Sequence, residues 1–220
     1  MPATSEWTAE HPCPGVVVHQ PRVGFRYSAD AFWLAGFAIE PDATGPPRTA
    51  LDLGTGSGVV AFLLAAAGWE VRGIDALAAW APGWTASLRD SGFQPRLEVV
   101  DVREVTGRVD VVTCNPPFFP AGAGPISPDP FKAAARTEGS ATLADFVHAA
   151  TRLARLRAVF VVPSDREAEL LELAAPFTLV RRLRVGRKRS VLDLRPTGAL
   201  EEDVALDRDH ARVEGFTRLG

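Results

Sequence analysis

Between Thr49 and residue 195 the apolar positions follow two alternating rhythms. Thr49–Leu53, Glu70–Asp75 and Val109–Cys114 are short, largely apolar runs of the kind that forms strands buried on both faces. Residues 96–100 and 158–162 repeat the pattern, and Pro163 closes the latter. Between them lie stretches of helical period. Residues 56–67 are apolar almost all round and end at Gly68. Residues 143–156 place Leu143, Phe146, Val147, Ala150 and Leu153 on one face, with Thr142 as N-cap and Asp145 in the first turn. A further helix is predicted over 164–173, capped by Ser164. Phe177–Val185 and 190–195 are strand-like and separated by a short basic, Gly-containing stretch, the pattern of a hairpin. Upstream, 16–19 is a short β-type run, and Ser28 can cap a helix starting near Ala29.

Strands alternating with helices predict an α/β fold: a doubly wound, seven-stranded sheet, mainly parallel, with one antiparallel strand near the C-terminus. Residues 1–14 read as a flexible tail and 41–47 as a Pro/Gly-rich linker within one domain spanning 15–197. Nothing is assigned to 198–220. In such sheets ligands sit at the carboxyl ends of the strands, where the strand order reverses. The loops after the first, second and fourth strands of the alternating region are therefore the places to search.

Composition narrows the picture only slightly. With 220 residues, 46% hydrophobic and 23% charged, the chain can bury a full core. A net charge of −3 excludes a broad basic coat, so any nucleic-acid contact must come from a local cluster. The two cysteines, Cys13 and Cys114, make no disulfide framework, and no basic-then-apolar signal opens the chain. A cytoplasmic setting is expected. No membrane contact and no metal are expected.

The first strand of the alternating region runs into Asp52-Leu53-Gly54-Thr55-Gly56-Ser57-Gly58. Glycines at alternate positions let the backbone turn sharply and approach a ligand closely. A dinucleotide site would place a pyrophosphate here with G-x-G-x-x-G spacing. The spacing is instead G-x-G-x-G, with Asp52 just before it. An acid there repels phosphate but suits a ligand with an amino group, which favours S-adenosylmethionine over NAD. Asp75, closing the second strand, can accept from ribose hydroxyls. Asp101, after the third, can accept from an adenine amino group. Each of these positions alone is also compatible with a tight turn or a helix cap.

The fourth strand delivers Asn115-Pro116-Pro117-Phe118 to the same edge. Two prolines fix φ and remove two donors, leaving the Asn115 side-chain oxygen and the Pro116 carbonyl as acceptors. That set suits one task. An exocyclic amino group is a poor nucleophile because its lone pair is delocalised into the ring. Two acceptors gripping its hydrogens draw the nitrogen toward a pyramidal shape and aim the lone pair at an electrophile. Phe118 can stack on the ring. A rigid proline turn closing a core strand is the simpler alternative for this tetrapeptide alone.

Together, Asp52–Gly58 and Asn115–Phe118 resemble the class I, S-adenosylmethionine-dependent methyltransferases, whose fold is Rossmann-like. Gln20-Pro21-Arg22-Val23-Gly24-Phe25-Arg26-Tyr27-Ser28-Ala29-Asp30-Ala31 is similar to the segment before the glycine loop in the bacterial tRNA adenine-N6 methyltransferases that act on a valine tRNA. Arg136 also matches an arginine of that family. The resemblance covers about residues 16 to 195. It implies transfer of a methyl group to an exocyclic amine, with RNA, specifically tRNA, as partner. It assigns Asp30, Gly54, Gly56, Asp75 and Asp101 to the cofactor, and the reading of the two loops adds Asp52, Thr55, Gly58 and Asn115 to them. Asn115, Pro116, Pro117 and Phe118 are assigned to the amine, and segment 15–40 to a cover over the cofactor. One departure stands out: the helix after the second strand lacks the family's Asn and contains Pro82-Gly83, which predicts a broken or shifted helix.

The stretch from Arg181 to Arg189 holds six basic residues in nine. Arg182 and Arg184 would share one strand face and, with Arg187 and Lys188, could grip an RNA backbone. A charged edge strand that discourages aggregation fits equally well. Ribosomal RNA guanine-N2, a protein glutamine amide, and a non-catalytic cofactor-binding module remain as competing readings.

Overall fold

The computed structural model describes residues 7–24, 26–40, 48–117 and 141–197. Seven strands form the central sheet: β3 (Thr49–Leu53), β4 (Glu70–Asp75), β5 (Arg96–Val99), β6 (Val109–Cys114), β7 (Ala154–Pro163), β8 (Phe177–Val185) and β9 (Arg189–Pro196). Their order is β5-β4-β3-β6-β7-β9-β8. All neighbours are parallel except β9, which is antiparallel to both β7 and β8. The chain builds outward from β3 through β4 to β5, then returns to lay β6 on the other side of β3. The order thus reverses between β3 and β6, and a crevice opens there at the carboxyl edge.

Alternate side chains feed two cores. Ala50, Val111, Val159 and Val161 face α1 (Ala29–Ile39) and α2 (Val59–Ala66), and α3 (Ala81–Asp90) joins this side through Leu88. Leu51, Leu53, Val112, Cys114, Phe160 and Val162 face α4 (Leu143–Leu153) and α5 (Glu167–Leu173). The caps expected at two helices are present. Ser28 Oγ accepts from Asp30 N–H, and Thr142 and Asp145 form a reciprocal capping box.

Several elements begin or end at points worth noting, each for a physical reason. Trp7–Glu10, expected within a flexible tail, is strand β1, paired antiparallel with β2 (Val18–Pro21). Helix α2 starts at Val59 rather than at Gly56, because Gly56 and Gly58 hold φ of +55° and +86°, outside helical space. Helix α4 stops at Leu153 because the next residues pair with β6, Ala154 against Val109 and Arg157 against Val111. Leu156, which continues the helical pattern, is 42% exposed on a strand. Helix α3 is shifted, as Pro82-Gly83 predicts: a 3-10 turn over Ala78–Trp80 precedes it, it starts at Ala81, and Pro82 lies in its first turn, where the missing N–H costs nothing.

Beneath the sheet's other edge, Arg157 and Arg181 both donate to Asp193, and their remaining donors reach the Ala38 and Phe37 carbonyls at the end of α1. Arg181 also pairs with Glu40 and lies 4.1 Å from the Phe37 ring centroid. No helix among the described residues is long and apolar enough to cross a membrane.

Candidate active site

Four strand ends line up along the carboxyl edge. Leu53 is in register with both Ile74 and Cys114, and Asp75 with Val99. The following residues, Gly54 and Asn115, therefore flank the crevice about one strand spacing, ~5 Å, apart. Asp75 closes the next strand, and Asp101 lies two residues beyond β5. The register thus brings the predicted glycine loop, acids and Asn-Pro-Pro turn together.

The loop itself is held from below. Gly54 has φ of +67°, and a Cβ there would lie 3.2 Å from the Phe146 ring. Thr55 N–H donates to the Ile74 carbonyl and Gly58 N–H to the Thr55 carbonyl. The two oxygens of Asp75 accept from Gly56 N–H (3.0 Å) and Leu77 N–H (2.9 Å). Burial pushes the Asp75 carboxyl up, and these two amides oppose the shift. Trp84 Nε1 donates to the Gly56 carbonyl at 2.8 Å. Trp84 thus takes part in holding the loop. Nothing in the spacing of the sequence marks it. The one available signal is a lone indole on a helix of low apolar content that follows the acid closing β4.

Asp52 is 2% exposed, and its Oδ1 accepts from Thr113 Oγ1 at 2.8 Å across the β3–β6 pair. Burial raises its carboxyl to about 7 against the help of the Thr55 and Thr113 hydroxyls. The Thr55 hydroxyl is close enough to favour the anion without completing a hydrogen bond. Asp101 is at the edge, but both its oxygens are engaged by Arg103, which holds its carboxyl down at about 2. An amino group would have to share those oxygens. Asp30 lies in the first turn of α1 and pairs with Arg189 at 3.4 Å.

At the Asn-Pro-Pro turn, Pro116 and Pro117 are buried and Asn115 is half-buried. Asn115 Oδ1 is shielded from solvent with no hydrogen-bond partner among the described residues. A buried acceptor left open is costly unless something donates to it. Cys114, behind the turn, is buried, and its thiol is pushed well up by burial, so it stays protonated and apolar in character. Phe118 and Arg136 lie outside the described residues.

The basic stretch divides. Arg181 turns inward to Asp193 and Glu40. Arg182 and Arg184 share the outer face as predicted, but both lean on Glu167, at 2.6 and 3.6 Å. Arg187 and Lys188 are exposed in the β8–β9 turn. Because β8 runs parallel to β7, that turn lies at the same edge as Asn115, three strand positions or roughly 14 Å away.

Among solved structures, the Thermus thermophilus 16S rRNA N2 G1207 methyltransferase, in complex with AdoMet and guanosine, superposes with a TM-score of 0.63 at 23% identity, over 89% of this chain and 52% of that one. The M. jannaschii tRNA m1G37 methyltransferase gives 0.60 at 12% identity, over 87% and 57%. The fold is that of the class I methyltransferases. In sequence, a tRNA1(Val) (adenine(37)-N6)-methyltransferase from Porphyromonas gingivalis is 29% identical over 208 residues, 87% of this chain and 80% of that protein. Its counterpart from Aeromonas salmonicida is 28% identical over 74% of this chain and 70% of that one. The chain resembles the tRNA1(Val) adenine-N6 methyltransferases. The ribosomal RNA small subunit methyltransferase C of Alcanivorax borkumensis is 40% identical over a shorter stretch of 82 residues, 37% of this chain. That stretch spans a quarter of the Alcanivorax protein's length. No family model matches the chain. S-adenosylmethionine-dependent RNA methyltransferases are thus its relatives in both sequence and fold.

Proposed function

We propose that this chain transfers a methyl group from S-adenosylmethionine to an exocyclic amino nitrogen, namely N6 of an adenine in tRNA. The observation that carries the reading is Asn115 Oδ1, buried with no hydrogen-bond partner among the described residues, on the residue that follows the β6 end in register with Leu53. The site fits the cofactor: Gly54 and Gly56 line the crevice without a Cβ, and Asp75 stands at the next strand end to accept from ribose hydroxyls. Asp52 acts from beneath, through the loop and Thr113.

S-adenosylmethionine supplies an electrophilic methyl group on a sulfonium. The rest is positioning. Asn115 Oδ1 accepts one amino hydrogen and the Pro116 carbonyl the other, so the nitrogen lone pair is turned out of the ring's π-system. The paired prolines keep both acceptors still. No strong base is required, because the proton leaves after the new N–C bond has formed. Orientation of this kind can contribute roughly 7–11 kcal/mol.

Adenine in tRNA is favoured because the tRNA adenine-N6 methyltransferases align over most of this chain, whereas the rRNA relative aligns over 82 residues. Guanine N2 in rRNA is the second reading, supported by that stretch and by the guanosine-bound structural neighbour. Arg187 and Lys188, exposed at the active edge, are the residues placed to meet an RNA backbone. The deciding experiment incubates unmodified tRNA and rRNA with the protein and methyl-deuterated S-adenosylmethionine, followed by nucleoside mass spectrometry. Deuterated N6-methyladenosine in tRNA is expected. Label only in rRNA as N2-methylguanosine would replace the first reading with the second, and no label in either RNA would remove both.

A further inference from the structure

We propose that Trp84 is a positioning residue for the cofactor loop, and that the N-terminal ribbon β1–β2 holds it there. The inference rests on the reading of Gly54–Gly58 as the S-adenosylmethionine site. Gly56 is gripped on both sides: its N–H donates to Asp75 Oδ2 at 3.0 Å and its carbonyl accepts from Trp84 Nε1 at 2.8 Å. A glycine-rich turn has more backbone freedom to lose than any other, so two bonds on one residue fix the peptide planes that line the crevice. Trp84 is 4% exposed, and a buried indole N–H needs a partner. That partner is the loop itself.

Helix α3, which carries Trp84, is thin in apolar side chains and is secured from outside. The Trp7 ring occupies the space over Gly83: a Cβ there would lie 2.3 Å from its Cζ3. Ser87 Oγ accepts from His19 N–H at 2.7 Å and donates to the Gly83 carbonyl at 2.8 Å. Ser91 Oγ accepts from Val17 N–H and donates to the Val17 carbonyl, both at 2.8 Å. A continuous path therefore runs from ribbon to helix to Gly56. It gives Pro82-Gly83 a purpose: proline starts the helix, and glycine admits the Trp7 ring beside the residue that grips the loop.

The test uses the full chain and titrates S-adenosylmethionine by calorimetry, with thermal midpoints recorded without ligand. Trp84→Phe keeps an aromatic, though smaller, side chain and removes the donor, and it is expected to weaken binding by about 3- to 10-fold, the share of one net hydrogen bond. Gly83→Ala leaves Trp84 intact but displaces Trp7, and it is expected to weaken binding in the same direction. A tryptophan with a folding role alone would lower the midpoint and leave the affinity untouched. Unchanged affinity in either variant overturns the clamp. If the unmodified protein itself binds no S-adenosylmethionine, the reading of the loop falls, and the clamp with it.

Discussion

Asp52 carries a carboxyl group to a place where ionisation is costly. Its folded value of about 7 stands above the ordinary 3.8, so between those values the native state binds more protons than the unfolded chain. The stability this group contributes therefore falls as pH rises from about 4 to about 7. Asp52→Asn keeps an acceptor for Thr113 and removes the dependence. Relative to the unmodified protein it should gain stability above pH 7, by at most ~4 kcal/mol, and gain little near pH 4. Urea unfolding at the two pH values checks this, and parallel curves for the two proteins would contradict it. Asp75 differs because its two oxygens are in use. Asp75→Ala removes an acceptor for the ribose and the partner of Gly56 N–H together. Calorimetry should show S-adenosylmethionine binding more than about tenfold weaker, with Asp75→Asn between the two. An alanine variant of unaltered affinity would take Asp75 out of the site.

At the scale of elements, β8 and its turn separate two kinds of basic residue that the sequence presents as one run. Arg182 and Arg184 are shared with Glu167, whereas Arg187 and Lys188 are exposed at the active edge. Replacing Arg187 and Lys188 by Glu should weaken tRNA binding and lower the log–log salt slope by about 2. The same change at Arg182 and Arg184 should affect tRNA less and stability more, because two new acids would face Glu167. Filter binding across a salt series checks both, and equal effects from the two pairs would reject the division. Legibility in the sequence divides along similar lines. The strands β3, β4 and β6 were readable to the residue, since buried parallel strands announce themselves as apolar runs between turn residues, and β8 was readable because it opens a hairpin. The glycine loop and Asn115 were readable because their chemistry restricts residue type. The end of α4 was not, since Ala154–Arg157 keep the helical pattern and only pairing with β6 decides their conformation. Strand β1 was not, since Trp7 matters only where α3 offers Gly83. The burial of Asp52 was hidden for the same reason: its partner, Thr113, is 61 residues away.

For the molecule as a whole, the sheet holds the crevice open at one edge and is braced at the other. Arg157, Arg181, Asp193 and Glu40 tie the end of α1 to β7, β8 and β9. Asp193 is fully buried and serves both arginines. Asp193→Ala would remove the carboxylate that two buried guanidinium groups share, and it should cost about 3–5 kcal/mol in chemical unfolding. A loss under ~1 kcal/mol would show that the brace is dispensable. The proposed function belongs to the opposite edge, and the proposal rests mainly on Asn115. The most direct measurement compares Asn115→Ala with the unmodified protein in two assays, S-adenosylmethionine affinity by calorimetry and methyl transfer to RNA under saturating cofactor. Transfer should fall by ~100-fold or more while the cofactor still binds, because the lost oxygen orients the amine. Transfer and cofactor binding falling together, or transfer surviving the substitution, would contradict the account.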